Sequence, residues 1–344
     1  MPAGFPATRE HQPDAAGAAA SRALHHYTIA TAAATLFLIF VGGLVTSTGS
    51  GLAVPDWPLS FGRLFPPMVG GVFYEHGHRM VAASVGILTV ILAIWVWQRE
   101  PRPWVRRLAA ASLAAIIVQG LLGGLTVLLR LPTAVSVLHA SLAQFFFGLV
   151  VTLAVCTGPW WRRLEQHGAA VVTEAAGPRG SAGMLFLGSL LTTLLIYAQI
   201  ILGAVMRHLG AGLAIPDFPL AFGRLVPPLA FPPVIIHYLH RLGALAVTLA
   251  VIYLVTRVRA RSGPHDGLRG TAWMLLGILF AQLALGAATI WSHRAVPPTT
   301  LHVAGGAALL AVSLILTLRS FRVWRAAAGR FAATHGLISE QAPA

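Results

Sequence analysis

The chain has no lysine, a single cysteine and few charges of any kind. Only 10% of its 344 residues are charged, against about 25% in an average soluble domain. With 56% hydrophobic residues and a mean hydropathy of +0.75, that shortage excludes a soluble globular protein and makes lipid the solvent. One thiol, Cys156, excludes any internal disulfide or CxxC chemistry. Without lysine, the net charge of +14 is carried by arginine alone. Where those arginines stand excludes a nucleic-acid partner.

Apolar runs of about 20 residues mark membrane-crossing helices. Eight are present, at about 27–47, 73–98, 106–128, 134–156, 184–206, 233–256, 271–291 and 299–318. The first is too long for a signal-peptide core and reads as an uncleaved span. Of the 24 arginines, 17 lie in the two termini and the connections after the second, fourth and sixth spans. Five lie on the other side, and Arg79 and Arg241 fall within spans. The positive-inside bias makes the basic excess a topology signal. It places the chain in the cytoplasmic (inner) membrane, surrounded by lipid, with both termini in the cytoplasm.

The stretch GLAVPDWPLSFGRLFPP at 51–67 returns as GLAIPDFPLAFGRLVPP at 212–228, with 13 of 17 positions identical. Four prolines and two glycines per copy make each an irregular loop. The repeat continues: HRMVAAS at 78–84 matches HRLGALA at 240–246, QGLLGGLTV at 119–127 matches QLALGAATI at 282–290, and LHASLAQ at 138–144 matches LHVAGGA at 301–307. A duplicated four-span unit has an even number of crossings, so both halves face the same way. The expected fold is all-α: eight transmembrane helices as two tandem four-helix bundles, related by a pseudo-twofold along the membrane normal. The expected divisions are a cytoplasmic tail at 1–26, an N-terminal half at 27–160, a cytoplasmic linker at 161–183, a C-terminal half at 184–318 and a tail at 319–344 with no assigned function.

Each half puts one histidine early in its second span and one early in its fourth: His78 and His139, then His240 and His302. Ionisable side chains inside a bilayer are costly and mark function. Two imidazoles facing each other across a bundle are a usual way to hold haem iron. A single four-histidine zinc or copper site would need ligands from both bundles to converge, so two bis-histidine haem sites are the better reading. Arg79 and Arg241 follow the second-span histidines and suit haem propionates. Gly120, Gly123 and Gly124, matched in part by Gly286 and Ala287, fit either room for a macrocycle or close helix packing. The loops would cap the sites, with Trp57 or Phe218 against the macrocycle or the interface and Asp56 or Asp217 bonding turn amides. His76, His208, His237 and His293 also lie near the outer side and are assigned no role. The halves differ at one place: Glu75 stands three residues before His78, where the second half has His237. A carboxylate in one site only points to proton or cation chemistry there and electron transfer in the other.

Eight spans in two halves, the Glu75-His76-Gly77-His78-Arg79 run, His240-Arg241, His139, His302 and the TGSGLAVPDWP stretch together resemble the haem A synthase family over roughly 25–320. The resemblance implies a membrane oxidoreductase of terminal-oxidase biogenesis that oxidises the C8 methyl of haem O, through an alcohol, to the formyl of haem A. It implies a haem b cofactor on His240 and His302, substrate haem O on His78 and His139, and Glu75 as the catalytic glutamate. It leaves room for a haem O synthase (farnesyltransferase) and an electron-transfer protein as partners. Some members carry cysteine pairs in the outer loops, and here those loops have none. Two other readings stay open: a di-haem cytochrome b-type electron carrier, and a proton-coupled transporter.

Overall fold

The computed structural model describes residues 15–171, 179–261 and 267–334. They form α1 (Ala15–Ser47), α2 (Gly71–Arg99), α3 (Pro103–Leu128), α4 (Thr133–Thr157), α5 (Pro159–Val171), α6 (Arg179–His208), α7 (Pro232–Arg261), α8 (Leu268–Trp291) and α9 (Val296–Thr334). Eight of them are long and apolar enough to cross a membrane, at the positions the sequence indicates. The chain is a multi-pass membrane protein. Proline opens α3, α5 and α7, where its missing N–H has no partner to lose.

In each half the helices pack in a closed ring: α1 on α2, α2 on α3, α3 on α4 and α4 back on α1, then α6 on α7, α7 on α8, α8 on α9 and α9 on α6. The halves meet where α1 packs on α9, α4 on α6 and α4 on α9. Exchanging the two sets of four helices leaves this pattern unchanged. Ile39, Phe147, Val151 and Ala307 form the apolar seam between the halves. Small polar residues draw the closing helices together: Thr193 meets Ser313 at 2.7 Å and Thr317 at 2.8 Å, and Thr28 meets Thr157 at 3.1 Å. Large side chains such as Ile87, Ile117, Leu187 and Leu249 stay exposed on the outside of the bundles, where lipid replaces water.

Two segments differ from the sequence reading. Part of the expected linker is α5, whose Trp161 is buried beneath Arg322 of α9, the guanidinium 5.0 Å from the ring. The segment expected as a tail from Arg319 continues α9 to Thr334, because an alanine-rich run has high helix propensity even without apolar periodicity. At this end of the bundles Glu100 is 1% exposed and pairs with Arg102 at 2.7 Å and Arg162 at 3.2 Å. Burial alone would raise the Glu100 carboxyl, but the Arg102 bonds outweigh it and hold it below the usual carboxylate range.

Candidate functional site

The two PDWP/PDFP loops fold alike. Asp56 accepts the amides of Phe61 (2.7 Å) and Gly62 (2.8 Å), and Asp217 accepts those of Phe222 (2.7 Å) and Gly223 (2.9 Å). The four amide residues have φ of 54°, 67°, 56° and 70°, which is why glycine ends each turn. Bonds from Gly62 and Phe61 hold the Asp56 carboxyl below the usual range, as those from Gly223 and Phe222 do for Asp217. A depressed carboxyl contributes stability above its unfolded value of about 3.9 and loses it as pH falls through the lower folded value. Protection of the Phe61 and Gly62 amides, relative to their intrinsic exchange rates, is therefore expected to fall on acidification below about pH 4. In Asp56→Asn the same amides should show no such dependence.

The arginines expected at propionates are engaged with these loops. Arg79 donates to the carbonyls of Asp56 (2.7 Å), Leu59 (2.9 Å) and Val54 (3.2 Å), and Arg241 to those of Asp217 (2.6 Å), Leu220 (2.7 Å) and Ile215 (3.2 Å). Glu75, 4% exposed, accepts from Arg79 at 2.7 Å and from the Val54 amide at 2.8 Å. In the second half His237 Nδ1 accepts the matching Ile215 amide at 3.2 Å. The position therefore anchors its loop in both halves, once by a carboxylate and once by an imidazole. Next to it, His76 bonds Ser60 through Nδ1 at 2.8 Å and has a buried Nε2 without a partner.

Of the glycines left open by the sequence, Gly123, Gly124 and Gly286 have occupants, while a Cβ on Gly120 would meet nothing within 4 Å. A Cβ on Gly124 would lie 2.5 Å from the Trp57 indole. The second half has Ala287 there and the smaller Phe218 in the loop, which meets Trp291 edge-on at 6.0 Å. Gly124→Ala is expected to unseat Trp57 and lower thermal stability, at a cost of about 1–3 kcal/mol. Adding Trp57→Phe should recover most of the loss, and a double variant as unstable as the single one would show that the seat is not the constraint.

All four histidines are half-buried and rest against glycine. A Cβ would come within 3.2 Å of His78 from Gly42, 3.1 Å of His139 from Gly123, 2.9 Å of His240 from Gly203 and 3.1 Å of His302 from Gly286. His78 and His139 are electrostatic neighbours. The His240 and His302 ring centres stand 6.5 Å apart at 78°. Metal–imidazole bonds of about 2 Å, with about 1.1 Å more from nitrogen to ring centre, put two axial ligands roughly 6 Å apart centre to centre. His302 Nδ1 lies 3.2 Å from the Gln282 carbonyl. A carbonyl only accepts, so Nδ1 carries the proton and Nε2 keeps the lone pair that iron needs. His240 Nδ1 lies 3.0 Å from the Gln199 amide nitrogen, which also donates to the His240 carbonyl, so this ring offers iron its Nε2 only as the other tautomer, with Gln199 turned aside. With that one adjustment the residues fit a haem. Among the described residues no three His, Cys, Asp or Glu side chains converge as a metal cluster, so the four histidines do not form one site.

Three glutamines pin the histidine helices, a feature that residue types alone did not single out. Gln119 donates to the His139 carbonyl at 3.0 Å, Gln199 to that of His240 at 2.7 Å and Gln282 to that of His302 at 2.8 Å. The signal was the matched placement of Gln119 and Gln282 in the repeat.

Residues 68–314 match the model of the family described as cytochrome oxidase assembly protein. A heme A synthase of Symbiobacterium thermophilum is 35% identical over 270 residues, covering 77% of this chain and 85% of its own length. The chain belongs to the haem A synthase family. Heme A synthases of Shouchella clausii and Alkalihalophilus pseudofirmus are 31% and 29% identical over 299 residues, each covering 86% of this chain and 94% of the relative. The family match spans α2, α7 and all four histidines, and begins after α1 and the first loop.

Proposed function

We propose that this protein is a haem A synthase that oxidises the C8 methyl of haem O, through the alcohol, to the formyl of haem A. The observation that carries the reading is the facing pair His240 and His302 in one half, matched by His78 and His139 in a half that alone has Glu75. In this reading His240 and His302 hold haem b, which supplies one-electron chemistry when bound. His78 and His139 hold substrate haem O. Glu75 supplies the negative charge that a proton-releasing oxidation needs beside the substrate. Arg79 keeps that carboxylate oriented and ties it to the loop through the Val54 and Asp56 carbonyls. Trp57 and Phe218 close the loops over the outer ends of the sites, since Trp57 and His139 rest on the adjacent Gly124 and Gly123. The arginine distribution, 17 on one side against five on the other, supports an inner-membrane placement with cytoplasmic termini. A haem O synthase and an electron-transfer protein are the partners this reaction calls for.

The test is chromatography of haems from membranes of a host that makes haem O but no haem A, with and without the protein. A new haem A or alcohol peak supports the synthase. Only haem B and haem O, with both sites filled, would favour a di-haem electron carrier. That second reading has its own support, because Glu75 and His237 share the anchoring of the matching loop amide.

A further inference from the structure

Arg207 ends α6 at the outer side, where the first half has the uncharged Thr46. It is partly buried, and its Nε is buried without a partner. Its Nη2 turns inward to α1, donating to the Gly43 carbonyl at 3.2 Å and to Ser47 Oγ at 2.8 Å. Among the described residues it forms no ion pair. The titratable and charged groups in its field are Arg294, of the same sign, His208 and His302, none of them an anion. A guanidinium drawn into a membrane bundle without an anion is costly and is kept where an anion binds. The same Ser47 hydroxyl also receives Thr300, two residues before His302, at 3.0 Å. Arg207 and the start of α9 are thus fastened to one point on α1.

We infer that Arg207 is the residue that binds a carboxylate of the haem held by His240 and His302, and that it fastens that carboxylate to α1 of the other half. Arg241, the residue expected there from sequence, spends its Nη1 and Nη2 donors on the loop carbonyls of Ile215, Asp217 and Leu220. Charge-assisted bonds from a guanidinium to a carboxylate are the strong ones; Arg207 keeps its Nε and Nη1 donors for them, whereas Arg241 keeps only its Nε, which is likewise buried without a partner. The α1 end of the link leads toward the first site: Gly43, which accepts from Arg207, adjoins Gly42, against which His78 rests.

The inference rests on the functional reading above, so its test separates the two. Purified wild-type, Arg207→Gln, Arg207→Lys and Arg241→Gln proteins are titrated reductively while the low-spin haem spectrum is followed. Loss of a cation beside the haem favours its oxidised form, so the midpoint potential of Arg207→Gln should fall and that of Arg207→Lys should stay closer to wild type. Haem-depleted proteins are then reconstituted with haem b or its dimethyl ester, which has no carboxylate to bind. Wild type and Arg241→Gln should prefer the free acid by about tenfold or more, and Arg207→Gln should lose that preference. An unchanged preference in Arg207→Gln, or its loss in Arg241→Gln alone, overturns the inference. A wild-type protein that takes up no low-spin haem overturns the functional reading, and this inference with it.

Discussion

Glu75→His is expected to keep the protein folded and haem-loaded while cutting haem A formation by a factor of about a hundred or more. The second half provides the precedent for this variant. His237 occupies the matching position and accepts the Ile215 amide, as Glu75 accepts that of Val54. Arg241 holds its loop through three carbonyls with no carboxylate partner, so Arg79 would keep its own bonds to Val54, Asp56 and Leu59. The loop anchor survives and only the charge is lost. Glu75→Ala is the cruder change, because it also strips the buried Val54 amide of its acceptor at a cost of about 1–3 kcal/mol. Haem chromatography and the oxidised-minus-reduced spectrum, measured on both variants, separate the two contributions. If Glu75→His makes haem A at the wild-type rate, Glu75 is a loop anchor, and the carboxylate found in one half only has no chemical role.

The fold was legible because its signals are long and repeated. Eight apolar runs, the alternation of arginine and the return of 51–67 at 212–228 each survive errors of a few residues at any boundary. The shorter helix α5 escaped notice because Pro159, Trp160 and Trp161 open a helix too polar to register as a span. The site was legible as residue types and not as pairings. His78, His139, His240 and His302 stand out as ionisable groups at matched places in an apolar background. What the Arg79 and Arg241 guanidiniums bond was not readable, since a propionate and a loop carbonyl make the same demand on a donor. Packing gave the same kind of surprise. Gly123 and Gly286 make room for imidazoles and Gly124 for an indole, and nothing in a GxxxG spacing says which neighbour fills it. Arg207 was hidden for the opposite reason: it looks like an ordinary basic residue at a helix end, and only its inward bonds to Gly43 and Ser47 set it apart.

His302→Ala should abolish the low-spin haem spectrum, whereas His139→Ala should leave that spectrum in place and lose haem A formation. The contrast follows from the proposed assignment of the two pairs to different haems. His302 has its Nδ1 proton committed to the Gln282 carbonyl at 3.2 Å, which leaves the lone pair on Nε2, and its ring centre stands 6.5 Å from that of His240. His139 is held otherwise: its Nε2 lies 3.3 Å from the Gln119 amide nitrogen, which also donates to the His139 carbonyl. That second bond identifies the amide group as a donor, so the ring nitrogen beside it accepts and iron must displace Gln119 to bind there. His240 Nδ1 likewise accepts from the Gln199 amide at 3.0 Å, so amide competition occurs in both pairs, and the contrast rests on the proposed assignment of His240 and His302 to the resident haem and of His78 and His139 to the substrate. His240→Ala should match His302→Ala, because either loss leaves iron with one axial imidazole. Low-spin haem retained in both would sink the assignment of this pair. Loss of that haem in His139→Ala as well would mean that the two sites do not load independently.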